Sequence, residues 1–240
     1  MKNHLDLEDI INEGIEAAEL CAVSYDDEFS HLFYGFTCRH PVIENHDQQC
    51  HILSNEKITV LLFPGTEEAR DLLLDLDKKY DANVKDFGIH RGVNKGLNYI
   101  WDDIIDVLSM TDYKNKPIKI YGHSLGGAYA AEAGRRLVNV FSIVCIYTFG
   151  MFKLYDKRGY DSYTLHHCHY NFINAGDLVS RYPLRRCMEK HLGNILYLTR
   201  KNKVIEGFPR LRFWVEYFCS PIVRALDHRI VNYIKRLKKV

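Results

Sequence analysis

The stretch that decides the fold is Ile118-Lys119-Ile120-Tyr121-Gly122-His123-Ser124-Leu125-Gly126-Gly127-Ala128. An apolar strand pattern leads into the sequence Gly-x-Ser-x-Gly, and small helix-forming residues follow it. A nucleophile elbow requires this order of strand, tight turn and helix. Its two outer glycines let the strand and helix backbones come close together. The stretch therefore predicts that Ser124 lies on a strained turn, beside the free N–H groups of a helix N-terminus.

Apolar runs and amphipathic segments alternate on both sides of this stretch. The run Ile58–Phe63, ended by Pro64-Gly65, is typical of a strand that is buried on both faces. The apolar positions between Val93 and Leu108 repeat with the period of a helix. The other predicted elements are helices over 5–20, 128–140 and 222–237, an antiparallel lead-in of short strands over 31–37 and 50–53, and strands over 117–121, 142–149, 170–174 and 195–199. This alternation predicts an α/β fold with a mostly parallel central sheet covered by helices on both faces.

The composition is that of a globular chain, with 47% hydrophobic and 26% charged residues among 240. No linker or repeat interrupts it, so we expect one domain over residues 1–240. The seven cysteines are an odd number without Cys-x-x-Cys spacing, which indicates reduced thiols rather than a zinc or redox motif. No phosphate-binding or dinucleotide fingerprint occurs. We therefore expect no cofactor and no nucleic-acid partner.

Histidines 166, 167 and 169 suggest a metal site at first sight. Adjacent residues do not easily chelate one ion, and only His167 and His169 would share a face if this segment were a strand. We therefore expect no metal here.

The acidic start of the chain lacks a signal-peptide pattern, and no stretch is apolar enough to span a bilayer, so we expect an intracellular location. The charges are unevenly distributed. Residues 1–60 hold twelve acidic against three basic residues, and residues 201–240 hold ten basic against three acidic ones. These runs are either ordinary solvated helices or a face that meets an anionic surface. In the second case Trp214, Tyr217 and Phe218, among Arg210, Arg212 and Arg224, would contact phospholipid peripherally.

Several segments resemble, in the right order, the motifs of the class 3 (fungal-type) lipase family of α/β-hydrolases. They span about residues 58 to 233 and are Leu62-Phe-Pro-Gly-Thr66, His90-Arg-Gly-Val93, Tyr121-Gly-His-Ser-Leu-Gly-Gly-Ala128, Thr148-Phe-Gly150, Asn174-Ala-Gly-Asp177 with Val179 and Pro183, and Asp227-His228 with Tyr233. Two segments depart from the family. Pro64 replaces the usual arginine, and Met151 to Tyr155 replace the usual Ser-Pro-Arg-Val-Gly. The resemblance implies a serine hydrolase that acts on lipid esters.

A serine hydroxyl needs a base, and a histidine base needs an acid that orients it. Two histidines follow Asp177, the acid that the resemblance implies. His228 lies 51 residues further on, and His191 lies only 14 residues further on in a basic loop. We therefore predict a triad of Ser124, His228 and Asp177, with His191 exposed at the surface. Asp156 and Asp161 are the alternative acids.

The oxyanion of the intermediate needs hydrogen-bond donors. The N–H of Leu125, after the nucleophile, is the first candidate. Thr66, at the end of the preceding strand, is the second. Residues 66–77 carry four leucines among charges, which indicates either a lid helix that opens at a lipid interface, as the resemblance implies, or an ordinary amphipathic helix.

These residues predict a hydrolase that works through an acyl-enzyme, and the resemblance implies that it cleaves carboxylic ester bonds of lipids. The alternatives are a catalytically silent lipase-like module, or a thioesterase or acyltransferase on the same fold.

Overall fold

Strands and helices alternate along the chain. The computed structural model describes residues 6–26, 35–65, 80–84, 87–182, 190–218 and 227–240. Among these residues the helices are α1 (Leu7–Val23), α2 (Arg91–Leu108), α3 (Leu125–Leu137), α4 (Lys157–Ser162), α5 (Arg210–Phe218) and α6 (Ile230–Leu237). The strands are β1 (Cys38–Arg39), β2 (Ile43–Asn45), β3 (Gln48–Ser54), β4 (Thr59–Phe63), β5 (Tyr80–Val84), β6 (Phe87–His90), β7 (Ile118–His123), β8 (Ile143–Phe149), β9 (His169–Asn174), β10 (Asn194–Leu198) and β11 (Val204–Glu206). Short 3-10 helices lie at Thr164–Cys168 and Val179–Arg181.

The central sheet has the strand order β1-β3-β4-β7-β8-β9-β10-β11, with β2 paired to β3. The strands from β4 through β7, β8 and β9 to β10 are parallel neighbours. The strands at both ends are antiparallel, and β5 pairs with β6 in a separate antiparallel sheet. The mostly parallel sheet of the prediction is confirmed, and of the predicted lead-in the strand over 50–53 is present within the antiparallel β3.

Hydrophobic cores lie on both faces of the sheet. One core joins the sheet to α2 and α3, and the other joins it to α1 and α6. The predicted apolar face of α2 is confirmed, because Val93, Leu97, Ile100, Ile104 and Leu108 are all fully buried. Burying each of these aliphatic side chains stabilises the fold by roughly 1.5–3 kcal/mol. Helices therefore cover the sheet on both faces.

The predicted strand over 31–37 is wrong for the part that the structure describes. Residues 31–34 lie outside the described residues, and residues 35–37 form a turn that precedes β1. Gly35 has a φ of 74°, a left-handed conformation that interrupts an extended strand.

The predicted closing helix over 222–237 is too long. Residues 222–226 lie outside the described residues, residues 227–229 form a turn, and α6 begins only at Ile230. Tertiary contacts hold this turn, since Arg200 and Arg236 each place a guanidinium nitrogen 2.6 Å from Asp227. Among the described helices, none has both the length and the apolar character of a membrane span.

Candidate active site

Ser124 lies on the predicted tight turn between β7 and α3. Its backbone angles are φ 58° and ψ −122°, a conformation that a non-glycine residue rarely adopts. The flanking glycines are required by crowding. A Cβ on Gly122 would overlap the carbonyl group of Gly126, and a Cβ on Gly126 would overlap the carbonyl group of Phe63. The strained turn and the close backbone approach predicted from sequence are both confirmed.

The structure brings Ser124, His228 and Asp177 together in one line of hydrogen bonds. His228 Nε2 lies 2.8 Å from Ser124 Oγ, and His228 Nδ1 lies 2.9 Å from Asp177 Oδ2. A carboxylate can only accept, so Nδ1 carries the proton. The unprotonated Nε2 then accepts the hydrogen bond that Ser124 donates. All three residues are buried.

Asp177 follows β9 and is held by several donors. Its Oδ1 accepts the N–H of Val179 at 2.9 Å, and its Oδ2 also accepts the hydroxyl of Tyr233 at 2.6 Å. Burial raises the pKa of Asp177, but the electrostatic interaction with His228 and the hydrogen bonds from His228 and Tyr233 outweigh it, so the pKa lies below its usual value. Asp177 therefore stays ionised beside the imidazole.

Gly150 makes room for this pair, and sequence reasoning gave it no role. It has a φ of 63° and lies directly after β8. A Cβ there would lie 2.8 Å from Asp177 Oδ2 and 2.9 Å from His228 Cε1. The only sequence signal was its place in the segment Thr148-Phe-Gly150.

The structure describes one of the two predicted oxyanion donors, Leu125. Leu125 is the first residue of α3, where the backbone N–H groups of a helix have no intrahelical partner. Thr66 and the predicted lid segment 66–77 lie outside the described residues. Gly65, the residue before Thr66, lies close to the serine, since a Cβ on it would be 2.9 Å from Ser124 Cβ. Gly65 therefore lies beside the nucleophile.

His191 does not lie at the surface, so that prediction is wrong. Its side chain is buried, and its ring centroid lies 5.2 Å from that of Phe208. Neither ring nitrogen has a hydrogen-bond partner among the described residues. Burial, together with the charges of Lys153 and Arg181, lowers its pKa to about 3. The segment after β11 covers the ring with Phe208, a contact that sequence spacing does not reveal.

The alternative acids have local partners of their own. Asp156 accepts the N–H of Gly159 at 2.8 Å and caps α4. Asp161 is exposed and pairs with Lys157 one helical turn away. Neither contacts Ser124 or His228.

The interpretation of the histidine cluster assumed that the whole segment is a strand, but only its last histidine lies in one. His166 and His167 lie in a 3-10 helix, and His169 begins β9. The buried His169 contacts Thr148 Oγ1 at 2.9 Å and the Tyr163 hydroxyl at 3.1 Å. In the described part of the chain, no three potential ligands are grouped so that they could hold a metal ion.

Fold and site together define a protein of the α/β-hydrolase class, with a serine, a histidine and an acid arranged as in a serine hydrolase. The family model for Lipase (class 3) matches residues 60–187, more than half of the chain. The chain belongs to the class 3 lipases, a family of carboxylic ester hydrolases.

One relative of known name is similar to this chain over part of its length. Lipase ZK262.3 of Caenorhabditis elegans is 28% identical over 138 residues, which cover 53% of this chain and 38% of that protein. The match thus spans well under half of the length of that lipase.

Solved structures share the fold at low identity. The lipase of Rhizomucor miehei in complex with its propeptide has a TM-score of 0.71 at 18% identity, covering 84% of this chain and 72% of that one. Lipase II of Rhizopus niveus has a TM-score of 0.68 at 19% identity, covering 79% and 80%. A triacylglycerol lipase whose catalytic centre is described as a serine protease triad has a TM-score of 0.73 at 17% identity, covering 93% and 94%.

Proposed function

We propose that this chain, as one catalytic domain, hydrolyses carboxylic ester bonds of lipids through a Ser124–His228–Asp177 triad. The observation that carries the proposal is the unbroken line of hydrogen bonds from Ser124 Oγ through the His228 ring to Asp177, with contacts of 2.8 and 2.9 Å. Membership of the class 3 lipases supports the ester-hydrolase chemistry.

In the acylation step, Ser124 Oγ attacks the ester carbonyl while His228 Nε2 takes the hydroxyl proton. Asp177 holds the Nδ1 proton in place and stabilises the imidazolium. The N–H of Leu125, and Thr66 as the second donor, stabilise the oxyanion, each by roughly 3–4 kcal/mol. His228 then gives its proton to the leaving alkoxide, and the acyl group stays on Ser124.

In the second half of the reaction, water attacks the acyl-enzyme and His228 accepts a proton from it. Collapse of the second tetrahedral intermediate expels Ser124 Oγ, which recovers its proton from His228. The products are a fatty acid and an alcohol. A thioesterase or acyltransferase would follow the same steps with a different leaving group or acceptor.

The decisive test compares Ser124→Ala with wild type and with Ser142→Ala, which removes an exposed hydroxyl before β8. We expect wild type and Ser142→Ala to react with a fluorophosphonate and to hydrolyse p-nitrophenyl esters. Ser124→Ala should do neither, with kcat lower by at least ~10³-fold. Chain-length profiles and thioester substrates then separate a lipase from a thioesterase. Wild-type protein that neither labels nor hydrolyses any ester would favour a silent module.

We also propose that α5 docks on an anionic lipid surface. Leu211, Val215 and Phe218 follow one another at helical spacing and are 80%, 54% and 65% exposed. Two cations near the ridge are exposed. Arg210 is the first residue of this helix. Lys201 follows Arg200, which is joined to the helix because its Nε donates to the Glu216 carbonyl oxygen at 3.2 Å. An apolar ridge beside exposed cations fits a membrane of negative surface charge.

Of the aromatic residues that the sequence indicated for a lipid contact, Phe218 belongs to this exposed ridge. Arg212 pairs with Glu216 at 3.1 Å, and Trp214 is half-buried with its ring 5.2 Å from the guanidinium of Arg181. Arg224 lies outside the described residues. The ridge therefore consists of Leu211, Val215 and Phe218.

Vesicle co-sedimentation tests this surface. The double variant Leu211→Ser with Val215→Ser should bind phosphatidylserine-containing vesicles about tenfold more weakly, because burial of two aliphatic side chains is lost. Its hydrolysis of soluble p-nitrophenyl acetate should be unchanged. Val140→Ser is the matched control, since Val140 is 77% exposed and lies outside α5, between α3 and β8. Equal binding by the double variant and this control would exclude the ridge.

A further inference from the structure

A second line of hydrogen bonds runs behind the site and joins its two halves. The N–H of Gly65 donates to the Tyr25 hydroxyl at 3.1 Å. The same hydroxyl lies 2.7 Å from His123 Nδ1, and His123 Nε2 lies 2.8 Å from the carbonyl oxygen of His228. The line therefore links the backbone beside the predicted oxyanion donor to the backbone of the predicted base.

The direction of each bond follows from chemistry. The carbonyl of His228 can only accept, so His123 Nε2 must carry a hydrogen. Burial and the neighbouring His228 lower the pKa of His123 to about 3, so this ring is neutral and its Nδ1 is an acceptor. Tyr25 therefore donates its hydroxyl hydrogen to Nδ1, and its oxygen is left to accept from Gly65. Only one tautomer of His123 satisfies every bond.

We propose that Tyr25 is a positioning residue of the active site. Its hydroxyl selects the tautomer of His123, and through it fixes the backbone of His228 relative to the backbone that precedes Thr66. This inference rests on the function proposed above, because it concerns the base and the oxyanion loop of that reaction.

The packing leaves little room for these groups to shift independently. The rings of His123 and His228 lie with centroids 4.9 Å apart and planes inclined by 32°. A Cβ on Gly65 would lie 2.7 Å from both the His123 carbonyl oxygen and the Tyr25 hydroxyl. A displacement of Tyr25 would therefore reach both sides of the reacting centre.

The rest of the protein holds Tyr25 in place. It follows Ser24, the residue that caps the C-terminal end of α1, and His51 Nε2 lies 3.0 Å from the Ser24 carbonyl oxygen. Because β3 carries His51 and α1 packs on the sheet, the position of the Tyr25 hydroxyl is set by two elements that contribute no group to the reaction.

The kinetic test is Tyr25→Phe, which removes only the hydroxyl. The matched control is Tyr147→Phe, since the buried Tyr147 hydroxyl has no hydrogen-bond partner within the described residues. We expect Tyr25→Phe to lower kcat about tenfold with an unchanged KM, the size of effect expected for one lost hydrogen bond that orients reacting groups. Titration with a fluorophosphonate should show the same fraction of active sites in both variants.

Nitrogen-15 NMR of the histidine rings gives a readout that does not depend on turnover. His123, assigned by comparison with His123→Gln, should show the tautomer protonated at Nε2 in wild type. In Tyr25→Phe a mixture with the Nδ1-protonated tautomer should appear.

Three results would overturn the inference: a kcat for Tyr25→Phe within twofold of Tyr147→Phe, a loss of active sites that accounts for the whole loss of kcat, or an unchanged His123 spectrum. Failure of the proposed function looks different, because wild type itself would then neither label nor hydrolyse esters.

Discussion

At the scale of single residues, the site depends on the absence of one side chain. Gly150 faces the contact between Asp177 and His228, and its φ of 63° is one that residues with a Cβ rarely adopt. Two separate effects, backbone strain and steric overlap, are therefore combined at this position. They can be separated experimentally because Gly207 has a similar φ of 84° and a Cβ there would meet no described atom within 4 Å.

We predict that Gly150→Ala lowers kcat for a p-nitrophenyl ester by about 100-fold, because a displacement of about 1 Å in a reacting group can cost that much. Gly207→Ala carries the same kind of backbone strain, roughly 1–2 kcal/mol, and should lower the melting temperature while leaving kcat unchanged. The measurements are kcat and thermal unfolding of both variants. If the two lost activity equally, strain rather than the overlap with the triad would be the cause.

At the scale of elements, the sequence predicted those features whose residues lie close together along the chain. The elbow was predictable because its glycines, its serine and the small residues of α3 all lie within eleven consecutive positions. The α2 face was predictable because burial on one side of a helix repeats every three or four residues. The Ser–Asp–His order was assigned from the resemblance and from the room between Asp177 and His228.

Sequence could not predict what depends on contacts between distant segments. The burial of His191 requires Phe208, which β11 brings over it. The start of α6 at Ile230 depends on arginines from β10's end and from α6 itself, which fix Asp227. Tyr25 carried no motif, because its partners Gly65 and His123 are distant in the chain.

The packing of helix α5 also depends on a contact with a distant segment, which the sequence could not predict. Its inner side is held by Arg181, whose guanidinium lies 5.1, 5.3 and 5.2 Å from the ring centroids of Phe208, Phe213 and Trp214. Arg181 belongs to the 3-10 helix that follows Asp177. The proposed lipid-docking ridge is thereby attached to the same segment as the acid of the triad, although the two are far apart in sequence.

At the scale of the whole molecule, the acidic and basic ends of the chain partly neutralise each other. Helix α1 and helix α6 pack together on one face of the sheet, where Lys238 lies 2.5 Å from Glu19. Glu13 of α1 also pairs with Lys119 of β7 at 2.6 Å. Ion pairs within the fold therefore use part of the acidic and basic charge of the two chain ends. The exposed ridge of α5 and its neighbouring cations are a better supported lipid contact than the basic end of the chain as a whole.

The stability of the whole molecule should fall in acid, because burial lowers the pKa values of His123, His169 and His191 to about 3. In the unfolded chain a histidine has a pKa of about 6.5. Between these values the unfolded state binds more protons, so stability present at neutral pH is lost as the pH falls from about 6.5 toward 3. His191 differs from the other two because its ring makes no hydrogen bond with any described residue.

We predict that His191→Leu reduces this loss. One buried neutral histidine should lower the free energy of unfolding by ~2 kcal/mol between pH 7 and pH 5. The variant has no titratable group at this position, so its stability should not fall for this reason. Urea unfolding at the two pH values measures it. Phe208→Leu, which removes the neighbouring ring without a titratable group, should lower stability equally at both. An unchanged pH dependence in His191→Leu would mean that the ring takes up its proton at the same pH in the folded protein as in the unfolded chain, so that burial beside Lys153 and Arg181 does not lower its pKa.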